Sequence, residues 1–127
     1  MKRGFTLIEL VMVIVILGIL AATALSRFID LSAIARENAA RASLGSLRAS
    51  VAITYASNAA YGSAVFPASV YESMFADNRV PMEPYTNSSS ITLGTAPTAA
   101  GTGWRYDSGS GQVWINTTVG DVKAGNQ

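Results

Sequence analysis

The run FTLIELVMVIVILGILAATAL, from Phe5 to Leu25, carries one charged side chain, Glu9. An apolar stretch of about twenty residues is what a helix needs to cross the hydrocarbon core of a bilayer. A helix that is hydrophobic on every side cannot lie on the surface of a globular domain, so it must be enclosed by lipid or by protein. Glu9 sharpens that constraint. A carboxylate in a spanning segment costs on the order of a few kcal/mol near the bilayer centre and less near its edge, so it is read as functional and needs a partner.

The rest of the 127-residue chain has room for one small soluble core. Hydrophobic residues make up 50% of the chain and charged ones 13%, an average inflated by the apolar run; the remainder is polar and rich in Ala, Ser, Thr, Asn and Gly. A formal net charge of +1, with bases dispersed among acids, gives no electrostatic footprint for nucleic acid, and no such partner is expected. The sequence has neither cysteine nor histidine. Disulfides, thiolate or imidazole metal sites and the commonest nucleophile and base pairs are thereby excluded. Asp30, Glu37, Glu72, Asp77, Glu83, Asp107 and Asp121 show no spacing that sets two carboxylates on one surface, and they read as solvated faces and turns. No enzymatic activity is expected.

Three readings of the amino terminus compete. In the first, Lys2 and Arg3 head a secretory signal that ends at the small-x-small site Ala22-Thr23-Ala24, releasing a small binding module that begins at Leu25. The apolar run, however, exceeds the usual core of such a signal, and Glu9 interrupts its beginning. In the second, the segment is a plain uncleaved anchor whose basic residues keep the amino terminus in the cytoplasm. That reading leaves Glu9 unexplained.

The third rests on Lys2-Arg3-Gly4 followed by Phe5-Thr6-Leu7-Ile8-Glu9-Leu10, which resembles the processing site of type IV prepilins and of the pseudopilins of type II secretion. The continuation VIVILGILAATALSRFIDLS is most similar to pilins of the mannose-sensitive haemagglutinin type, and the resemblance covers about the first third of the chain. It implies that a prepilin peptidase cuts between Gly4 and Phe5, that the new amino terminus of Phe5 is methylated, and that the whole apolar helix is kept. It also implies an inner-membrane subunit with a cytoplasmic amino terminus, which an assembly platform builds into a filament on the surface or across the periplasm. Glu9 then has a partner: the Phe5 amine lies four residues away in the same chain, and in the family the glutamate is thought to attract the amino terminus of a neighbouring subunit and set register. Where many type IV pilins carry a proline after the apolar run, this chain has Ser26, so the kink or loosening that a proline brings is in doubt between Gly18 and Ser26.

Beyond Arg27, Ala40, Leu44, Leu47, Val51 and Tyr55 recur at spacings of four, three, four and four, the stripe of an amphipathic helix. Phe28 and Leu31 begin a similar face earlier, Glu37 and Arg41 have the favourable order for a surface pair, and Arg41 and Arg48 share a solvated face. No strong breaker intervenes between Phe5 and Ser57, so one nearly continuous helix about 80 Å long is expected, ending near Asn58 to Gly62 at a glycine stop. Ser69 and Glu72 have capping-box spacing and suggest a short helix from Val70 to about Ala76. RVPMEPY is extended, SSITLGT is strand-like, and GWRYDSGSGQVWINT reads as a hairpin with Trp104 and Tyr106 on one face and Trp114 opposing Val113 and Ile115.

The expected fold is therefore α+β and pilin-like, a long amino-terminal helix packed on a small antiparallel sheet. Its parts are a leader over 1–4, a membrane or filament-core helix over 5–25, an amphipathic helix over 26–61 and a globular region over 62–127. The expected function is self-assembly into a type IV pilus-like filament for adhesion, motility or attachment, with a type II secretion pseudopilin as the alternative. Asp107 and Asp121 are weak calcium candidates, thin for a cage unless backbone and Asn carbonyls add ligands. Asn87-Ser88-Ser89 and Asn116-Thr117-Thr118 match a glycosylation sequon, read as chance in a bacterial chain.

Overall fold

A computed structural model describes residues 4–98 and 100–117, the side chains of residues 26 and 30 excepted. Two compact units divide the chain, Met1–Ala35 and Arg36–Gln127. The element common to both is α1, Leu7–Ala60, 54 residues with no proline and with its backbone helical through Gly18 and Ser26. It stops where the sequence supplies a left-handed residue. Gly62 has φ 89, its N–H donates to the Ala59 carbonyl (3.0 Å), and the Ser63 N–H donates to the Asn58 carbonyl (2.9 Å). This pair of hydrogen bonds satisfies carbonyls that the last turn would otherwise leave open, and glycine takes the positive φ without a Cβ penalty.

Among the described residues of the first unit nothing covers the helix. Large apolar side chains from Leu7 to Leu31, and Ile34 after them, are exposed. Phe28 and Leu31, expected to begin a covered face, are exposed with the rest. The second unit differs. Ala40, Leu44, Leu47 and Val51 are buried together with Val70, Trp104, Tyr106, Val113 and Ile115, and Tyr55 extends the stripe by stacking on Phe66 at 4.5 Å between ring centroids. The helical spacing of four and three thus meets the two-residue alternation of a sheet in one core.

The sheet has three strands in the order β1 (Ile91–Leu93), β2 (Trp104–Asp107), β3 (Gln112–Ile115). β2 and β3 form the expected hairpin, Trp104 opposite Ile115 and Tyr106 opposite Val113, closed by the turn after Asp107. β1 corrects the expectation of a wholly antiparallel sheet, because it runs parallel to β2, Ile91 beside Trp104 and Leu93 beside Tyr106. The reason lies in the returning loop 94–103. Asn116, buried at the end of β3, accepts from the Thr98 N–H (3.3 Å) and hydroxyl (3.1 Å) and donates to the Thr102 carbonyl (3.3 Å), so the loop is carried back alongside the sheet before β2 begins.

A second correction concerns the segment after Pro67. Only a single 3₁₀ turn forms, η1 (Glu72–Met74), and no side-chain cap precedes it. Tyr71 and Phe75 are both extended, which turns Met74 and Phe75 against the core and ends the helix after one turn. Arg48 is the third. Its guanidinium donates to the Val113 carbonyl at 3.2 Å, tying α1 to β3, whereas Arg41 makes the surface pair with Glu37 at 2.7 Å.

Candidate functional site

Gly4, Phe5 and Thr6 precede the helix and are exposed; Lys2 and Arg3 lie outside the described residues. Glu9 stands in the first turn of α1. Its Oε2 accepts from the Thr6 N–H (2.7 Å) and the Thr6 hydroxyl (2.8 Å), while the Thr6 Oγ1 accepts from the Glu9 N–H (3.3 Å). That reciprocal set is a capping box, T-x-x-E, which satisfies orphan donors at the helix start and places a carboxylate where the helix dipole favours it. The spacing Thr6-Leu7-Ile8-Glu9 was the signal for it, and the expectation built on Phe5 alone passed over Thr6. The Phe5 nitrogen is a peptide amide in this chain, and the Glu9 carboxylate bonds to Thr6. All the contacts of the box use Oε2 or the backbone, and none uses Oε1. Beside it, Phe5, Ile8, Glu9, Met12 and Val13 line a shallow concavity of about 500 Å³ that is apolar except for the carboxylate.

The remaining candidates fall in the second unit. Asp107 spends both oxygens on its own turn: Oδ2 accepts from the Ser110 hydroxyl (2.7 Å) and Oδ1 from the Gly109 N–H (2.9 Å). The Ser110 hydroxyl, with the Gly109 amide behind it, holds the carboxyl below the usual aspartate range. Asp121 lies outside the described residues, and among those described no group of three or more acidic, His or Cys side chains could hold a metal. Asn116 of one sequon is buried with its amide committed to the 94–103 loop, while Asn87 of the other is exposed in a turn with φ 51.

Both hairpin aromatics on the inner face belong to the core. The Trp104 indole donates to the Pro81 carbonyl and the Tyr106 hydroxyl to the Pro67 carbonyl, each at 2.7 Å. Burial pushes the Tyr106 phenol up from its ordinary value, which keeps it a donor. Glu83 was expected to be solvated; it is fully buried instead. Its carboxylate accepts from the Tyr85 N–H (2.6 Å), the Thr86 N–H (2.7 Å) and the Thr86 hydroxyl, a set of donors drawn from its own turn.

One helix among the described residues is long and apolar enough to cross a membrane, and its most apolar window, of mean hydropathy 2.7, is wholly unburied. A capped carboxylate stands in its first turn, and the model of the prokaryotic N-terminal methylation motif matches residues 1–25. Over 51 residues the chain is 49% identical to the type IV narrow pilus major component PilA5 of Thermus thermophilus, a match covering 40% of this chain and 44% of that protein. The chain thus matches less than half the length of that curated relative. No solved structure matches.

Proposed function

We propose that the chain is the structural subunit of a type IV pilus-like filament, cut between Gly4 and Phe5 by a prepilin peptidase, methylated on Phe5, and drawn from the inner membrane by an assembly platform. The observation that carries this reading is the uncovered first half of α1. Lipid can enclose about twenty residues, yet Phe28, Ile29, Leu31 and Ile34 remain exposed beyond Leu25. A plain anchor gives these side chains no cover, and a module released after Ala24 would carry them into water. A bundle of identical helices buries the whole sleeve at roughly 25 cal/mol per Å² of apolar surface.

Glu9 is the register device in this reading. Cleavage creates a cation at Phe5, and the free Oε1, at the edge of an apolar concavity, is available to a neighbour's amine while Thr6 holds the other oxygen. Removing one partner of such a pair in a low-dielectric bundle costs about 3–5 kcal/mol. The similarity to a major pilus component favours the pilus over the secretion pseudopilus. Glu9→Gln tests the assignment, since it keeps volume and the capping geometry while deleting charge. Membrane fractionation should recover the processed subunit at the parental level, and shearing should release few or no filaments. Parental filament yield from Glu9→Gln would return Glu9 to a purely local role as a helix cap.

A further inference from the structure

The start of α1 and the cut that the filament reading requires lie side by side in the sequence. The helix begins at Leu7, and Gly4, Phe5 and Thr6 precede it, all exposed. Thr6 closes its first turn: the Thr6 carbonyl accepts the Leu10 N–H (3.3 Å) and its Oγ1 accepts the Glu9 N–H (3.3 Å), the bonding of an N-cap. Before this cap the chain is open. Among the described residues no hydrogen bond is made to the Gly4 carbonyl, and a Cβ at Gly4 would meet nothing within 4 Å.

A binding cleft takes a peptide as an extended strand, because a helix commits main-chain N–H and C=O groups to its own bonds. Without the Thr6 hydroxyl, the next residue upstream suited to a cap is Gly4, since glycine is a preferred N-cap and apolar residues such as Phe5 are not. The helix would then begin at Phe5, and the Gly4 carbonyl would accept the Ile8 N–H. That carbonyl belongs to the scissile bond. In its hydrolysis water adds to the Gly4 carbonyl carbon, the C–N bond breaks, and the Phe5 nitrogen takes a proton and leaves as the amine. We propose that Thr6 is a positioning residue for the cut between Gly4 and Phe5: by fixing the helix start at Leu7 it keeps the scissile bond outside the helix. The methylation motif matched over residues 1–25 points to amino-terminal modification of this segment independently of the cap.

This inference rests on the processing step of the filament reading, and the test separates the two. The full-length chain in detergent micelles is incubated with membranes of the cell that makes it, which carry the peptidase, and release of residues 1–4 is followed by mass spectrometry. Thr6→Val keeps the shape and removes the hydroxyl, whereas Thr6→Ser keeps the hydroxyl. Thr6→Val should lower kcat/KM about fivefold, the change in open population that a lost N-cap produces, while Thr6→Ser stays within about twofold of the parent. In the same micelles the Ile8 amide should exchange with solvent more slowly in Thr6→Val than in the parent, because it gains the Gly4 carbonyl. A direct contact between the Thr6 hydroxyl and the peptidase would slow the cut without changing this amide. A parental chain left uncut between Gly4 and Phe5 overturns the processing reading and this inference with it. A parental chain that is cut, with Thr6→Val cut equally fast, with Thr6→Ser as slow as Thr6→Val, or with an unchanged Ile8 amide, overturns the inference alone.

Discussion

Replacing the buried carboxylate of Glu83 should unsettle the second unit more than any change to an exposed acid. The carboxylate accepts from the Tyr85 and Thr86 amides and from the Thr86 hydroxyl, and Thr86 Oγ1 in turn accepts the Gly103 N–H (3.0 Å) just before β2. The Glu83 N–H meanwhile donates to the Ser88 carbonyl at 2.8 Å. Glu83→Gln keeps one acceptor oxygen but sets an NH₂ against a backbone N–H, which costs roughly 1–3 kcal/mol. Glu83→Ala orphans both amides and leaves a cavity, roughly 2–5 kcal/mol. For a folded unit of this size, each kcal/mol moves the midpoint by about 4–8 °C. Thermal unfolding of the full chain in detergent micelles, followed by the near-ultraviolet dichroism of buried Trp104, should rank parental above Gln above Ala. Glu72→Gln, at an exposed position, should unfold with the parent. If both Glu83 variants also fall within about 0.5 kcal/mol of the parent, as surface substitutions do, the turn does not depend on its carboxylate and the reasoning is wrong.

In the same assay Leu47→Ala, at a fully buried position, should cost about 2–5 kcal/mol, Arg41→Ala close to nothing, and Arg48→Ala about 1 kcal/mol for its bond to Val113. Equal losses for the two arginines would contradict the tie between α1 and β3. Asp107 supplies a pH test. A carboxyl held below its ordinary value of 3.8 stabilises the fold above that value and loses its contribution as pH falls through the depressed folded value. The hairpin turn should therefore loosen only in acid below the ordinary aspartate range, seen as movement of the Gly109 amide resonance, and Asp107→Asn should remove that transition.

What was legible in the sequence is what local periodicity encodes. The stripe of Ala40, Leu44, Leu47 and Val51 and the alternation of Trp104 and Tyr106 each announce their element, because one face of each must be buried. The methylation motif was legible for a similar reason, since its residues are contiguous. The direction of β1 was not, because it depends on Asn116 gripping a loop distant in sequence. Glu83 looked like any turn acid, since the donors that bury it are amides invisible in a pattern of side chains. Arg48 and Arg41 lie on one helix and read alike, yet Arg48 reaches a strand carbonyl that only the tertiary fold brings near. Thr6 and Glu9 have the spacing of a capping box, so this contact was legible in the sequence as T-x-x-E.

A filament subunit must keep its apolar sleeve and assemble through it. Intact-mass and amino-terminal analysis of material sheared from the cell surface measures both at once. Filaments whose subunits begin at Phe5, carry one added methyl group and retain the whole of α1 are the expected result. A soluble, unassembled chain beginning at Leu25 would contradict it.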